Sequence, residues 1–317
     1  NLPYVSGPEM LGKQLQGRNV FAISGTHGKT TTSYMLAHIF LDQGIEIGYL
    51  VGGISENFEN SACLGKDSIF VIEADEYDSA FFDKRSKFIH YSPSNLIINN
   101  IEFDHADIFD DIEDIKKQFH HLIKIIKPSG NIIYFNDDLN TTEVIDRGIW
   151  CNKIGINSGN TKINFKSKEL IIDNETFSLA DLPLIGEHNF NNYVCSILAA
   201  KLENISVTES INSLKKFKGV KRRMDFITEI RGVRIYDDFA HHPTAIKLSC
   251  DAIRNKYPGK KILGLVELAS NTMSSGFHKE NLINSMDLLD KFLLLDVNKN
   301  YKINNSFDSE ENLIKNI

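Results

Sequence analysis

The stretch that most limits how this chain can fold is Val20-Phe21-Ala22-Ile23-Ser24-Gly25-Thr26-His27-Gly28-Lys29-Thr30-Thr31-Thr32. A short apolar run ends in two glycines, a lysine and a series of threonines. Met35, Leu36, Ile39 and Phe40 then recur at helical spacing. The pattern predicts a buried strand, a turn and a helix in direct succession. Glycine lets the backbone approach oxygen atoms closely, and the unpaired N–H groups at a helix start point at anions. Lys29 has the reach for the terminal phosphates of a nucleotide, and the Thr30 hydroxyl suits Mg2+. A nucleoside triphosphate site on Gly25, Thr26, His27, Gly28, Lys29, Thr30 and Thr31 is therefore expected. The spacer Thr26-His27 is shorter than that of the general G-x-x-x-x-G-K-[ST] loop. The bland alternative is a glycine-rich turn with a solvent-facing lysine.

Strand and helix signals alternate onward from this loop. Residues 45–51, 68–72, 95–100 and 131–135 read as strands. Residues 111–126 read as a helix with Ile112, Ile115, Phe119, Leu122 and Ile126 on one side, stopped by Pro128-Ser129-Gly130. Continuous apolar strands alternating with helices predict an α/β fold: a central, mainly parallel sheet with helices on both faces. Ligands of such sheets bind beyond the carboxyl ends of the strands. The phosphate loop, Glu73-Ala74-Asp75-Glu76-Tyr77-Asp78 and Asn100-Ile101-Glu102-Phe103-Asp104-His105 each follow a strand at once. Glu73, the first polar residue off its strand, is the first choice for a metal carboxylate. Asp75, Glu76 and Asp78 are equally well explained as a solvated acidic loop. His105, flanked by Asp104 and Asp107, suits a catalytic or metal-binding role, against the alternative of a structural histidine. Glu102 is either a further ligand or charge on a turn.

The second half is less regular. Residues 153–179 read as short alternating strands, a small β excursion. Gly186-Glu187-His188-Asn189-Phe190-Asn191-Asn192-Tyr193 then leads into a helix over 194–202. One asparagine at a helix start is usually a cap, but three with a histidine exceed what capping needs. An amide that donates and accepts at once can pair with an adenine edge. The basic, glycine-bearing segment 217–225 is either a solvated hinge or a means of bringing an arginine to a phosphate. A strand over 233–236 ends at Asp237-Asp238-Phe239-Ala240-His241-His242-Pro243. A helix over 244–254 and a strand over 261–266 follow. This predicts a second, smaller Rossmann-like α/β unit, incomplete at its end.

Composition narrows the function class. At 317 residues and 42% apolar content the chain has room for two packed domains. The net charge is −7 with basic residues scattered, which excludes the basic face of a nucleic-acid binder. No apolar run approaches the roughly 18 residues that span a bilayer, and a cytoplasmic protein is expected. Cys63, Cys151, Cys195 and Cys250 are far apart and form no metal-ligand pair, so they are expected to be buried or free thiols. The chain opens on Asn1, with residues 2–5 reading as a linker, and residues 310–317 read as a helix without a cap. Both ends are expected to continue into missing neighbours.

Taken together, Gly25-Thr26-His27-Gly28-Lys29-Thr30-Thr31, Glu73-Ala74-Asp75-Glu76, Asn100-Ile101-Glu102-Phe103-Asp104-His105, Gly186-Glu187-His188-Asn189, Arg222-Arg223 and Asp237-Asp238-Phe239-Ala240-His241-His242-Pro243 resemble the Mur ligases, ATP-dependent amide-bond-forming enzymes of bacterial wall synthesis. The pieces stand in family order over nearly the whole chain, and the short phosphate loop is the family's own form. The run 76–88 and Ser270-Asn271-Thr272-Met273 resemble the branch that takes a recycled tripeptide more than the branch that adds L-alanine. The resemblance implies a UDP-binding part preceding this chain, with residues 1–18 its linker and helix. Residues 19–220 would form the ATP-binding domain and 221–317 a truncated domain for the amino substrate.

The implied reaction joins UDP-N-acetylmuramate to L-alanyl-γ-D-glutamyl-meso-diaminopimelate, using ATP and Mg2+, through an acyl phosphate. By the resemblance, Lys29, Glu73, His105 and Arg223 are catalytic, and Thr30, Glu73 and His105 are metal ligands. Asn189 and Asn192 would hold adenine and Asp238 the ribose, with His241 a further nucleotide contact. Arg223 would reach the γ-phosphate on closure of a hinge at 219–223. Lys84, Arg85 and Lys87 face either the anionic muramyl substrate or solvent. Some relatives carry a carbamylated lysine at the position of Phe119, so none is expected here. The alternatives are the alanine-adding branch, more distantly a folylpolyglutamate synthase, and in a different class a regulatory ATPase with the same loop.

Overall fold

The computed structural model describes residues 4–267, 271–274 and 278–295. Ser270 of the branch-distinguishing run, the first two residues of the expected linker and the helix expected at 310–317 lie outside these. The chain divides into two compact units. The first comprises residues 1–103, 111–184 and 188–221, and the second 104–110, 185–187 and the residues from Arg222 on.

The first unit opens with α1 (Gly7–Gln14), capped by Ser6, whose hydroxyl accepts from the Glu9 N–H. It continues through β1 (Asn19–Ser24), α2 (Lys29–Asp42), β2 (Gly48–Leu50), β3 (Ala62–Cys63) and β4 (Ile69–Glu73). A hairpin of β5 (Asp78–Ala80) and β6 (Asp83–Ser86) leads through a 3-10 turn to β7 (Asn95–Ile98). After α3 (Ile112–Lys124) come β8 (Asn131–Phe135), α4 (Leu139–Asp146) and β9 (Asn152–Ile156). The central sheet has the order β3-β2-β4-β1-β7-β8-β9, parallel throughout except at the short edge strand β3. This is the expected parallel architecture, with β1 between β4 and β7.

Strand alternation divides the core. Phe21, Ile23, Val71, Ile97 and Ile133 pack with α2, with α5 (Glu187–Lys201) and with α6 (Val207–Leu214). Their neighbours Ala22, Ile72, Leu96, Ile98 and Ile132, equally buried, point to the other side, that of α3 and α4. There Phe119 meets Phe88 with ring centroids 5.6 Å apart. α2 is buried on nearly every side, from Thr30 through Ala37 and again at Ile39 and Phe40, so the phosphate loop is anchored in a core helix.

The amino edge of the sheet carries an amide ladder. Asn19, Asn95, Asn131 and Asn152 are the first residues of four adjacent strands. Asn95 Nδ2 donates to Asn19 Oδ1 at 3.0 Å, Asn131 Nδ2 to Asn95 Oδ1 at 2.7 Å, and Asn152 Nδ2 to Asn131 Oδ1 at 3.3 Å.

Two expectations change here. The β excursion begins later than predicted, because residues 152–156 join the main sheet as its edge. Only β10 (Thr161–Asn164), β11 (Glu169–Ile172) and β12 (Glu175–Ser178) form a separate antiparallel sheet. The helix expected from 194 starts at Glu187 instead, so Asn189 and Asn192 lie inside α5 and not ahead of it. Short amides weaken a helix by competing for its backbone groups. Here they are buried and bonded to other side chains, which removes that competition.

In the second unit, β13 (Asp225–Ile230) and β14 (Val233–Asp237) form an antiparallel hairpin. Its Arg231-Gly232 turn is left-handed at both residues, as a two-residue hairpin requires. α7 (Pro243–Lys256) is capped by His242, whose Nδ1 accepts from the Thr244 N–H. β15 (Leu263–Glu267) pairs in parallel with β16 (Lys291–Leu295). Ile246, Cys250, Met273, Leu282 and Met286 make its core. All four cysteines are free thiols, Cys195 and Cys250 buried, Cys63 exposed. Among the described residues no helix is long and apolar enough to cross a membrane.

Candidate functional site: a phosphate loop with an acidic ring

The position of β1 decides the geometry of the loop that follows it. Ile23 is in register with Glu73 on one side and Ser24 with Ile98 on the other. Residues 25–28 therefore emerge between Glu73 and the pair Asn99-Asn100. Gly25, at φ 123°, lies so close to that pair that a Cβ would fall 2.9 Å from the Asn100 carbonyl. Thr26 N–H donates to the same carbonyl at 3.0 Å, and His27 N–H donates to Asn100 Oδ1 at 2.8 Å. Gly28 caps α2 with a left-handed φ of 82° and no side-chain cap. The first-turn N–H groups of α2 thus have no capping side chain, which is the condition for binding an anion.

Thr30 Oγ1 donates to Glu73 Oε1 at 2.8 Å, and Glu73 Oε2 accepts from the Gly52 N–H at 2.7 Å. Glu73 is the last residue of β4 itself, not the first beyond it. Hydroxyl and carboxylate oxygens side by side are the donor set that a hard cation such as Mg2+ prefers. Lys29 Nζ donates to the Gly25 carbonyl at 2.7 Å and to Glu76 Oε2 at 3.2 Å, with Asp75 Oδ1 at 3.6 Å. Burial works against its charge, but Glu76, Asp75 and Glu73 outweigh this and hold its pKa above the usual lysine range.

Glu76 is only 2% exposed, so the reading of it as a solvated acidic residue does not hold. Asp78 pairs with Lys84 at 2.8 Å, Asp83 with Arg85 at 2.8 Å and Asp75 with Lys87 at 3.2 Å. Each basic residue considered for the muramyl substrate is thus already opposite a carboxylate. Glu102 lies 3.5 Å from His27 Nε2, and its backbone N–H donates to Thr26 Oγ1 at 2.8 Å.

The asparagines of α5 face the same loop. Asn192 Oδ1 accepts from the Thr32 hydroxyl at 3.0 Å, and Asn192 Nδ2 donates to Asn189 Oδ1 at 3.2 Å. Asn189 Nδ2 lies 3.1 Å from His188 Nε2. Phe119 lies in the core of α3, where its ring is fully buried.

His105, Arg223, Asp238 and His241 belong to the second unit. His105 has a left-handed φ of 59°, and its N–H donates to Asp104 Oδ1 at 2.7 Å. Burial opposes the charge of Asp104, but His105 and the further histidines His241 and His242 lower its pKa. Asp238 is raised by burial, against a 2.5 Å hydrogen bond from Ser249 and the charge of Arg223. His241 Nδ1 lies 2.9 Å from the Phe239 carbonyl. The Arg223 guanidinium stands 5.3 Å from the centre of the Phe239 ring.

Comparison with known families bears directly on this arrangement. The Mur ligase middle domain matches residues 23–200, and the Mur ligase glutamate ligase domain matches residues 222–311. The chain belongs to the Mur ligase family. Among curated relatives, the UDP-N-acetylmuramate–L-alanyl-γ-D-glutamyl-meso-2,6-diaminoheptandioate ligase of Escherichia coli K12 is 43% identical over 303 residues, 93% of this chain and 66% of that protein. The UDP-N-acetylmuramate–L-alanine ligase of Clostridium kluyveri is 34% identical over 313 residues, 94% of this chain and 65% of that protein. The crystal structure of a murein peptide ligase from Psychrobacter arcticus superposes with a TM-score of 0.71 at 36% identity, covering 92% of this chain and 66% of that one. This Mur ligase chain therefore spans about two thirds of the length of these relatives.

The glycine–lysine–threonine loop pattern pointed to Lys29 and Thr30, and strand-end position to Glu73; the fold brings the three together. Sequence reading missed Gly52, Asn99 and Thr32 as parts of the loop's surroundings. The pair Gly52-Gly53 directly after a predicted strand was the available signal for the first. Asn99 was hidden because it reads as part of the strand over 95–100.

Proposed function

We propose that this chain works as part of an ATP-dependent ligase that joins UDP-N-acetylmuramate to the tripeptide L-alanyl-γ-D-glutamyl-meso-diaminopimelate. The observation that carries the reading is the uncapped start of α2 with Lys29 beside it and the Thr30–Glu73 oxygen pair next to both. Substrate choice is supported by the higher identity to the tripeptide-named relative, 43% against 34% for the alanine-named one. The use of ATP and a soluble wall precursor supports a cytoplasmic reaction.

The chemistry needs an activated carboxyl group, since a carboxylate has no competent leaving group for an amine. The γ-phosphoryl group of ATP passes to a muramyl carboxylate oxygen and ADP departs. The tripeptide amine then forms the C–N bond, inorganic phosphate leaves with the electron pair, and the amine gives up a proton. The first step brings two anions together, so positive charge is the chief requirement. Lys29 and the N–H groups at the start of α2 supply it at the phosphates. Thr30 and Glu73 would hold Mg2+, which when bound neutralises phosphoryl oxygens.

Asn189 and Asn192 are assigned to adenine. On the second unit, His105 is assigned to a divalent cation, Arg223 to the γ-phosphate, Asp238 to the ribose and His241 to the nucleotide. Phosphate release from ATP by the full-length protein tests the reading. It is expected only with UDP-N-acetylmuramate and tripeptide both present. Release with L-alanine replacing tripeptide would move the assignment to the alanine-adding branch. Release with neither substrate would identify a regulatory ATPase.

A further inference from the structure

We propose that Asn99 is a positioning residue for the nucleotide phosphates, a role that rests on reading the loop as a triphosphate site. Asn99 is 6% exposed and follows β7 directly. Its Nδ2 donates to the His27 carbonyl and to Thr32 Oγ1, each at 3.1 Å. The Thr32 hydroxyl in turn donates to Asn192 Oδ1 at 3.0 Å. A donor–acceptor chain thus runs from the loop, through the first turn of α2, to α5.

Gly28 sits on this chain. A Cβ there would lie 2.5 Å from Asn192 Oδ1 and 2.6 Å from Asn99 Nδ2. Asn100 fixes the preceding peptide, Thr26–His27, accepting from the His27 N–H at 2.8 Å. With the peptides on both sides of His27 anchored, its backbone is held in one conformation. The left-handed turn at Gly28 is fixed with it, and so is the direction of the N–H groups of α2. A loop ordered in advance spends no binding free energy on ordering when phosphate arrives. Without the Asn99 amide, the His27 carbonyl keeps the longer 3.4 Å contact from Asn100 Nδ2, and the phosphate must supply part of the ordering. The loss then falls on phosphate affinity, because Asn192, assigned to adenine, keeps its own bond from the Thr32 hydroxyl.

The test compares Asn99→Ala, Thr32→Val and Thr32→Ser with the unsubstituted full-length protein, reading melting temperature and the affinities for ATP and for adenosine. Asn99→Ala is expected to weaken ATP about tenfold, the scale of one lost hydrogen bond, while adenosine stays within about twofold. Thr32→Val, which removes the hydroxyl at nearly constant shape, is expected to weaken ATP as well and, since Thr32 also bonds Asn192, to weaken adenosine with it; Thr32→Ser is expected to restore both. ATP affinity within twofold of the unsubstituted protein in both Asn99→Ala and Thr32→Val would overturn the proposal. So would a parallel fall in adenosine affinity in Asn99→Ala, the mark of general loosening. An unsubstituted protein that binds no ATP would instead overturn the functional reading itself, and this proposal with it.

Discussion

Lys29 is the residue on which the loop's chemistry turns, and its surroundings set its pH behaviour. Its folded pKa is raised above the ordinary 10.5 by Glu76, Asp75 and Glu73 acting against burial. The ammonium is therefore charged throughout the range below 10.5, and its contribution declines only as pH climbs beyond that value. Replacing it by methionine is expected to lower phosphate release about 100-fold or more, by the same factor at pH 7 and pH 9. Steady-state assays at the two pH values check this.

Asp83 behaves in the opposite sense. The bidentate Arg85 contact outweighs burial and lowers its pKa from 3.8 to about 2. Its stabilisation is complete above pH 3.8 and vanishes as pH falls toward 2. The melting-temperature gap between the parent protein and Asp83→Asn is expected at pH 6 and absent near pH 2. At this scale the sequence was only partly legible. Glu73 could be read from its strand-end position, whereas the pairing of Glu76 with Lys29 depends on the path of the chain between β4 and β5.

Among the elements, the amide ladder shows how four strands share one edge. Asn95 stands in its interior with both ends of its amide engaged and 6% exposure, whereas Asn152 is exposed at the edge. Asn95→Ala removes both bonds of a buried amide, leaves two half-buried partner groups without it, and is expected to cost about 2 kcal/mol. Asn152→Ala is expected to cost less than about 1 kcal/mol. Chemical denaturation of the two variants separates these values. The strands β1, β4, β7 and β8 were readable as elements because each is a continuous apolar run between polar breaks. α4 was missed because its signal is local: Asp138 accepts from the Thr141 N–H at 2.9 Å, and the helix spans only eight residues. The start of α5 was misplaced because buried asparagines look like caps until their partners, Thr32 above all, are known.

Across the molecule, the parallel order of the central sheet was legible from alternating apolar runs, and with it the rim at which the loop would sit. Which loops lie next to one another was not, since that depends on β1 falling between β4 and β7. The Lys29–Glu76 contact carries a consequence for selectivity. On the proposed reading, an incoming phosphate does not meet an idle cation; it must displace the Glu76 carboxylate already paired with Lys29. Recognition is thus an exchange of one anion for another, and the gain is the difference between two pairings. A polyanion that also engages the helix start and the Thr30–Glu73 oxygens makes that exchange favourable. A lone sulfate or carboxylate, with only the lysine to gain, does not.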